Sequence, residues 1–165
     1  MPFDLHPEYP PEGIPREQLV ARYGGAAMTE RMTRFFAERG LEYNPNPEVV
    51  PNSMSALRLT ELGRDLGRHA AMHDRLMDAY WAEAKDIGDP DVLRAEAAAV
   101  ELPDGDVEEV LTGDRYRDRV ETSTREAFSM GANAVPAFVL DRRLLVLGAQ
   151  PDEVFEQAFA QLELS

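Results

Sequence analysis

The sequence predicts an α/β chain that is mostly helical and closes with a β-hairpin and a last helix. Three observations carry this. Apolar residues recur at helical spacing in one segment after another between Arg16 and Met130. Two short apolar runs of β character, Ala134 to Leu140 and Leu144 to Leu147, are joined by Asp141, Arg142 and Arg143, the pattern of an antiparallel hairpin. Glycines and prolines stand at the ends of these segments, where the chain must turn. With 165 residues, of which 44% are hydrophobic, the chain can bury one core, or one core with an insertion.

Phe3 and Leu5 alternate with Asp4 and His6 ahead of four prolines between Pro7 and Pro15, which reads as the end of a strand entering an irregular connector. A short helix from Arg16 to Tyr23 puts Leu19, Val20 and Tyr23 on one face and ends at Gly24 and Gly25. A second, from Ala26 to Arg39, spaces Met28, Met32, Phe35 and Phe36 helically and stops at Gly40. Leu41 to Pro51, rich in proline and turn-forming residues including Asn46, is expected to cross the surface as a loop.

Asn52 or Ser53 then caps a helix to Leu66 with Leu59, Leu62 and Leu66 as its buried stripe. The helix from Ala70 to Lys85 lines up Met72, Leu76, Tyr80 and Ala84, widened by Met77 and Trp81. Asp89 and Pro90 form a cap and first-turn pair opening a helix through Leu93, Ala97 and Val100. Asp106 with Glu109 resembles a capping box for a helix through Val110 and Leu111. A helix from Asp114 to Met130 turns Tyr116, Val120 and Ala127 inward and closes at Gly131. Beyond the hairpin, Pro151, Asp152 and Glu153 start a last helix whose core face holds Val154, Phe155, Ala158, Phe159 and Leu162.

A net charge of −14 repels phosphate backbones and anionic lipid heads, so neither nucleic acid nor a membrane surface is an expected partner. No stretch reaches the roughly 20 apolar residues of a membrane span, and a cytoplasmic protein is expected. There is no cysteine, which removes disulfides, thiolate nucleophiles and thiolate metal sites together.

Other candidate sites have plainer explanations. His69 and His73, with Asp65 a turn earlier, could face one metal ion, but three or four protein ligands are the rule and a solvated helix surface suffices. Asp104, Asp106, Glu108 and Glu109 stand at a helix start, where the dipole favours acids. Met28, Met32, Phe35, Met72, Met77 and Trp81 could line an apolar groove, but at helical spacing they read as core. No metal or other cofactor is expected.

The run from Met130 to Asp141, with Val135 and Pro136 at its centre, and then Gly148-Ala149-Gln150-Pro151, resembles the C-terminal signature of the DsbA-like thioredoxin-fold oxidoreductases, particularly their FrnE-like branch. Pro51-Asn52-Ser53, Tyr80-Trp81 and Asp86-Ile87-Gly88-Asp89 resemble landmarks of that family's helical insertion. On spacing alone, Pro136 starts an edge strand. The resemblance instead implies a cis Val135–Pro136 bond that turns the backbone of Val135 toward a substrate groove, with Gly148, Ala149 and Gln150 beside it. It implies a thioredoxin-like fold divided into a remnant strand and connector (1–14), a helical insertion (15–113) and a C-terminal half of helix, hairpin and helix (114–165).

Family members also carry a first strand and a Cys-x-x-Cys motif, neither of which matches any segment here. The expected function is therefore that of a thiol–disulfide oxidoreductase homologue, redox-inactive in this form, with a peptide or thiol substrate at the groove. The missing strand would leave sheet edges unpaired. Truncation, completion by another chain or homodimerisation would each account for this, with truncation and consequent self-association expected. A noncatalytic peptide-binding or self-assembling module is the alternative. A glutathione-dependent isomerase or transferase ranks last, because Gly148 leads into Ala149-Gln150 where those relatives carry an Asp-Arg element.

Overall fold

The computed structural model describes residues 1–45 and 47–163. Asn46 of the expected surface loop, and Leu164 and Ser165 at the end of the C-terminal unit, lie outside the described residues. The elements run β1 (Ile14–Pro15), α1 (Arg16–Arg22), α2 (Ala26–Ala37), β2 (Val49–Val50), α3 (Met54–Asp65), α4 (His69–Trp81), α5 (Pro90–Ala99), α6 (Asp104–Thr112), α7 (Arg117–Ser129), β3 (Ala137–Leu140), β4 (Leu144–Leu147) and α8 (Asp152–Glu163). They make two small antiparallel sheets, β1 with β2 and β3 with β4.

The core is helical and sits in α3 to α6. Leu59, Leu62, Met72, Leu93 and Val110 are fully enclosed there, with Ala79 and Ala97 allowing close approach. Helix α3 is central, since it packs against α4, α6 and α7. The Asp89–Pro90 start forms as the sequence implies: Asp89 Oδ1 accepts from the Asp91 amide at 2.7 Å, and Pro90 takes the first helical position. Across α5 and α6, the Glu108 carboxylate accepts two hydrogen bonds from Arg94, at 2.5 and 3.1 Å.

Several expectations are corrected. Phe3 to Leu5 forms no strand. It lies along α7 instead, with the Asp4 amide donating to Thr124 Oγ1 at 3.0 Å and Phe3 edge-on to Phe128 at 5.2 Å. With no neighbouring strand, hydroxyls on α7 satisfy its backbone: Ser123 Oγ donates to the Pro2 carbonyl. The strand in this region is Ile14–Pro15, whose partner Val49–Val50 arises inside the expected loop.

Helix α3 ends at Asp65, and Leu66, expected in its buried stripe, is 44% exposed. Helix α4 stops at Trp81, with Ala84 turned to φ 53°. Ser53 precedes α3 without a side-chain cap bond, and it is Asn52 Oδ1 that accepts from the Met54 amide at 2.9 Å. Asp106 and Glu109 form no capping box; Pro103 precedes α6, and Arg115 holds both acids from outside.

The apolar faces of the flanking helices are only partly covered. No residue of α1, α2 or α8 is fully buried among those described. Of the six Met and aromatic positions read as core, Met72 is enclosed, Met28, Met32 and Trp81 are half-buried, and Phe35 and Met77 are exposed. The aromatic rings instead form a surface cluster, Phe36 standing 4.8 Å from Tyr43 and 5.5 Å from Trp81. On α8, Phe155, Ala158 and Leu162 are half-buried, while Val154 and Phe159 are exposed. Helical periodicity marks an apolar face in all of these, but only a neighbouring element can bury it.

Surface pairs hold several carboxyls below their ordinary range. Arg94 does so for Glu108, Arg117 for Asp114, Arg75 and then Lys85 for Glu83, and Arg119 and then Tyr116 for Asp65. A depressed carboxyl contributes stability that is present above its unfolded value and lost as pH falls through the lower folded value. The net charge of −14 also relaxes on acidification, so a difference measurement isolates one pair. The gap in urea midpoint between the parent and Arg94→Gln is expected at neutral pH and shrinks as pH falls below the ordinary Glu value of 4.5. A gap that persists unchanged in acid would contradict the pairing.

Candidate functional site

Helix α7 ends in a turn that delivers the chain to the hairpin. The Gly131 amide donates to Phe128 O at 2.9 Å and the Ala132 amide to Ala127 O at 3.0 Å, the reciprocal pair of a Schellman cap. This requires a left-handed residue, and Gly131 takes φ 90°. Ala132, buried, closes the cap, and the chain passes through the cis Val135–Pro136 bond into β3. Asp141 and Arg142, both at positive φ, reverse it, with the Arg143 amide donating to Leu140 O at 3.0 Å.

The hairpin brings the two parts of the expected groove together at its base. The Gly148 amide donates to Pro136 O at 2.8 Å, extending the ladder one pair beyond Ala137 and Leu147. Gln150 folds back, its amide donating to Gly148 O at 3.1 Å and its Nε2 to Leu147 O at 2.7 Å. Val135, 59% exposed, and Ala149 face outward. The outer edge of β3 has no strand partner among the described residues, and α8 meets the hairpin through the Phe138–Phe155 edge-to-face pair at 5.0 Å. This base offers backbone and apolar groups and no nucleophile.

The histidine pair is occupied with other contacts. Arg64 Nη2 lies 2.6 Å from His69 Nε2, and an arginine can only donate, so that nitrogen accepts. Burial, and then the Arg64 charge, push the His69 imidazole down. Asp65 is drawn instead to Arg119 and Tyr116. Among the described residues no group of three or more His, Asp or Glu side chains is placed to hold a metal ion, and no helix is long and apolar enough to cross a membrane.

A separate cavity of about 410 Å³ lies between α7, the N-terminal segment and the start of α3. Asp4, Asn52 and Ser55 line it with Arg117, Glu121 and Arg125 of α7, while Met54 and Phe128 supply apolar surface. Neither Val135, Pro136 nor the Gly148–Gln150 turn borders it. Sequence reasoning missed it because Asp4 lay within an expected strand; the one available signal was the i, i+4, i+8 spacing of Arg117, Glu121 and Arg125 on a single helix face.

The comparisons with known proteins cover nearly the whole chain. The protein described as "Uncharacterized protein YwbO" of Bacillus subtilis (strain 168) is 26% identical over 163 residues, spanning 97% of this chain and 79% of that protein. The crystal structure of a probable DsbA oxidoreductase, SCO1869 from Streptomyces coelicolor, superposes with a TM-score of 0.84 at 33% identity, over 96% of this chain and 72% of that one. Residues 1–160 match the family model described as a DSBA-like thioredoxin domain. The helical body, the Schellman-capped α7 and the hairpin with its closing helix are thus the parts of a shared fold, and the chain belongs to the DSBA-like thioredoxin-domain family.

Proposed function

We propose that this chain is a FrnE-type, redox-inactive homologue of the thiol–disulfide oxidoreductases, which binds an extended peptide or thiol substrate at the Val135–Pro136 and Gly148–Gln150 surface without exchanging disulfides. The observation that carries the reading is the family match over residues 1–160 in a chain with no cysteine. Disulfide exchange proceeds by thiolate attack, and no side chain here can supply a thiolate. What remains at the hairpin base is an exposed apolar residue, Val135, beside a strand edge, which suits main-chain pairing with an extended segment.

Two measurements test this. Insulin reduction is expected to stay at the uncatalysed rate, and turnover by the purified chain would refute redox inactivity. A fluorescently labelled, unfolded apolar peptide is expected to bind, with Val135→Asp weakening it about tenfold, the loss that roughly 1.4 kcal/mol represents. Absence of peptide binding would refute the binding half.

A second reading is self-assembly through the same edge, favoured by the exposure of Phe138, Val139 and Phe159 on the hairpin and α8. Light scattering would then return twice the 18.5 kDa of one chain, whereas a clean monomer would remove the reading.

A further inference from the structure

We propose that the cavity between α7 and the N-terminal segment binds a small zwitterionic peptide or amino acid, with the ligand's ammonium group at Asp4 and its carboxylate at Arg125. This is independent of the hairpin reading, since the two surfaces share no residue.

Asp4 carries the first half. It is 3% exposed, and its Oδ1 accepts only neutral donors at long distances, the His6 amide at 3.2 Å and Ser53 Oγ at 3.3 Å. Among the described residues it has no salt bridge to Lys, Arg or His. A carboxylate taken out of water without a counter-cation favours a cationic group that enters its cavity.

The wall opposite has the complementary sign. Arg117, Glu121 and Arg125 stand at one-turn spacing, and Glu121 lies 4.0 Å from Arg117 and 3.9 Å from Arg125, at the outer limit of ion pairing. Arg117 is also held by Asp114, at 2.7 Å. Arg125 makes one hydrogen bond besides, from Nη2 to Thr122 Oγ1 at 2.9 Å, and its side chain is 69% exposed. A guanidinium presents five N–H donors, so Arg125 retains donors for a carboxylate.

Two charges of opposite sign on facing walls select a ligand that carries both. Phe128 and Met54 offer apolar surface for its body. The volume of about 410 Å³ falls in the ~300–1,000 Å³ range of small-molecule sites.

The test uses alanyl-phenylalanine, its N-acetyl derivative and its C-terminal amide, titrated into the full chain by calorimetry. The zwitterion is expected to bind, and each blocked form to bind roughly 10- to 100-fold more weakly, the worth of one charge-assisted hydrogen bond. Asp4→Asn should abolish the penalty for acetylation, and Arg125→Gln the penalty for amidation. Arg125 lies on an exposed helix face, so Arg125→Gln keeps the test decisive if Asp4→Asn fails to fold. Equal affinity for all three compounds, no binding of any, or discrimination that survives Arg125→Gln would each overturn the proposal.

Discussion

Replacing Arg58 by methionine is expected to lower the unfolding free energy by about 3–5 kcal/mol, the cost of stripping buried polar groups of their only charged donor. Arg58 is 2% exposed in the middle of α3. Its Nε donates to Arg115 O at 2.8 Å and its Nη2 to the carbonyls of Val110 and Gly113. These three carbonyls belong to the end of α6 and the turn into α7, where the chain runs out of helical donors. One guanidinium thus closes α6 and fixes the entry of α7.

Burial, and then the Arg117 charge, push the Arg58 guanidinium down from its usual range, so part of its hydrogen-bond energy is offset by desolvation. The mutational loss therefore exceeds its net contribution to folding. Methionine keeps the apolar stem but no donor. Lysine has one ammonium where three carbonyls converge from different directions, so Arg58→Lys is expected to recover less than half of the loss. Urea unfolding reads both, and a loss under about 1 kcal/mol for Arg58→Met would show that the carbonyls do not depend on this side chain.

Leu59→Ala is expected to cost about 2–5 kcal/mol, and Leu66→Ala no more than about 0.5 kcal/mol, although periodicity places both on one stripe. Leu59 has no exposed surface and sits where α3 meets the other core helices. Truncation leaves a cavity that close-packed neighbours cannot fill. Leu66 lies past the end of α3 and is largely open to water, so it has little burial to lose. Equal losses at the two positions would mean that the stripe, rather than the packing, sets stability.

That contrast shows how legible the fold was. Leu59 and Leu62 were identified correctly because a helix in mid-course has one apolar side. Leu66 was not, because Gly67, at φ 70°, ends the helix geometry just beyond it. The hairpin was read nearly to the residue, since Asp141 and Arg142 between alternating apolar runs encode their own turn. Arg58 was invisible: a lone arginine in a helix reads as solvated, and only the convergence of three carbonyls from residues more than fifty positions away makes it structural. The cavity was invisible for the same reason, because Asp4 and Arg125 meet only when the N-terminal segment is laid along α7.

The chain's own sequence determined its family, its helical majority, its hairpin and its inability to exchange disulfides, because local periodicity, turn chemistry and the absence of a thiol are all short-range or compositional properties. Tertiary structure alone decided that Phe3 to Leu5 is an extended segment rather than a strand, which apolar faces stay open, and which charges face each other across the cavity. Strand pairing, burial and electrostatic complementarity each require two segments distant in sequence, and a single segment's pattern names only one of them.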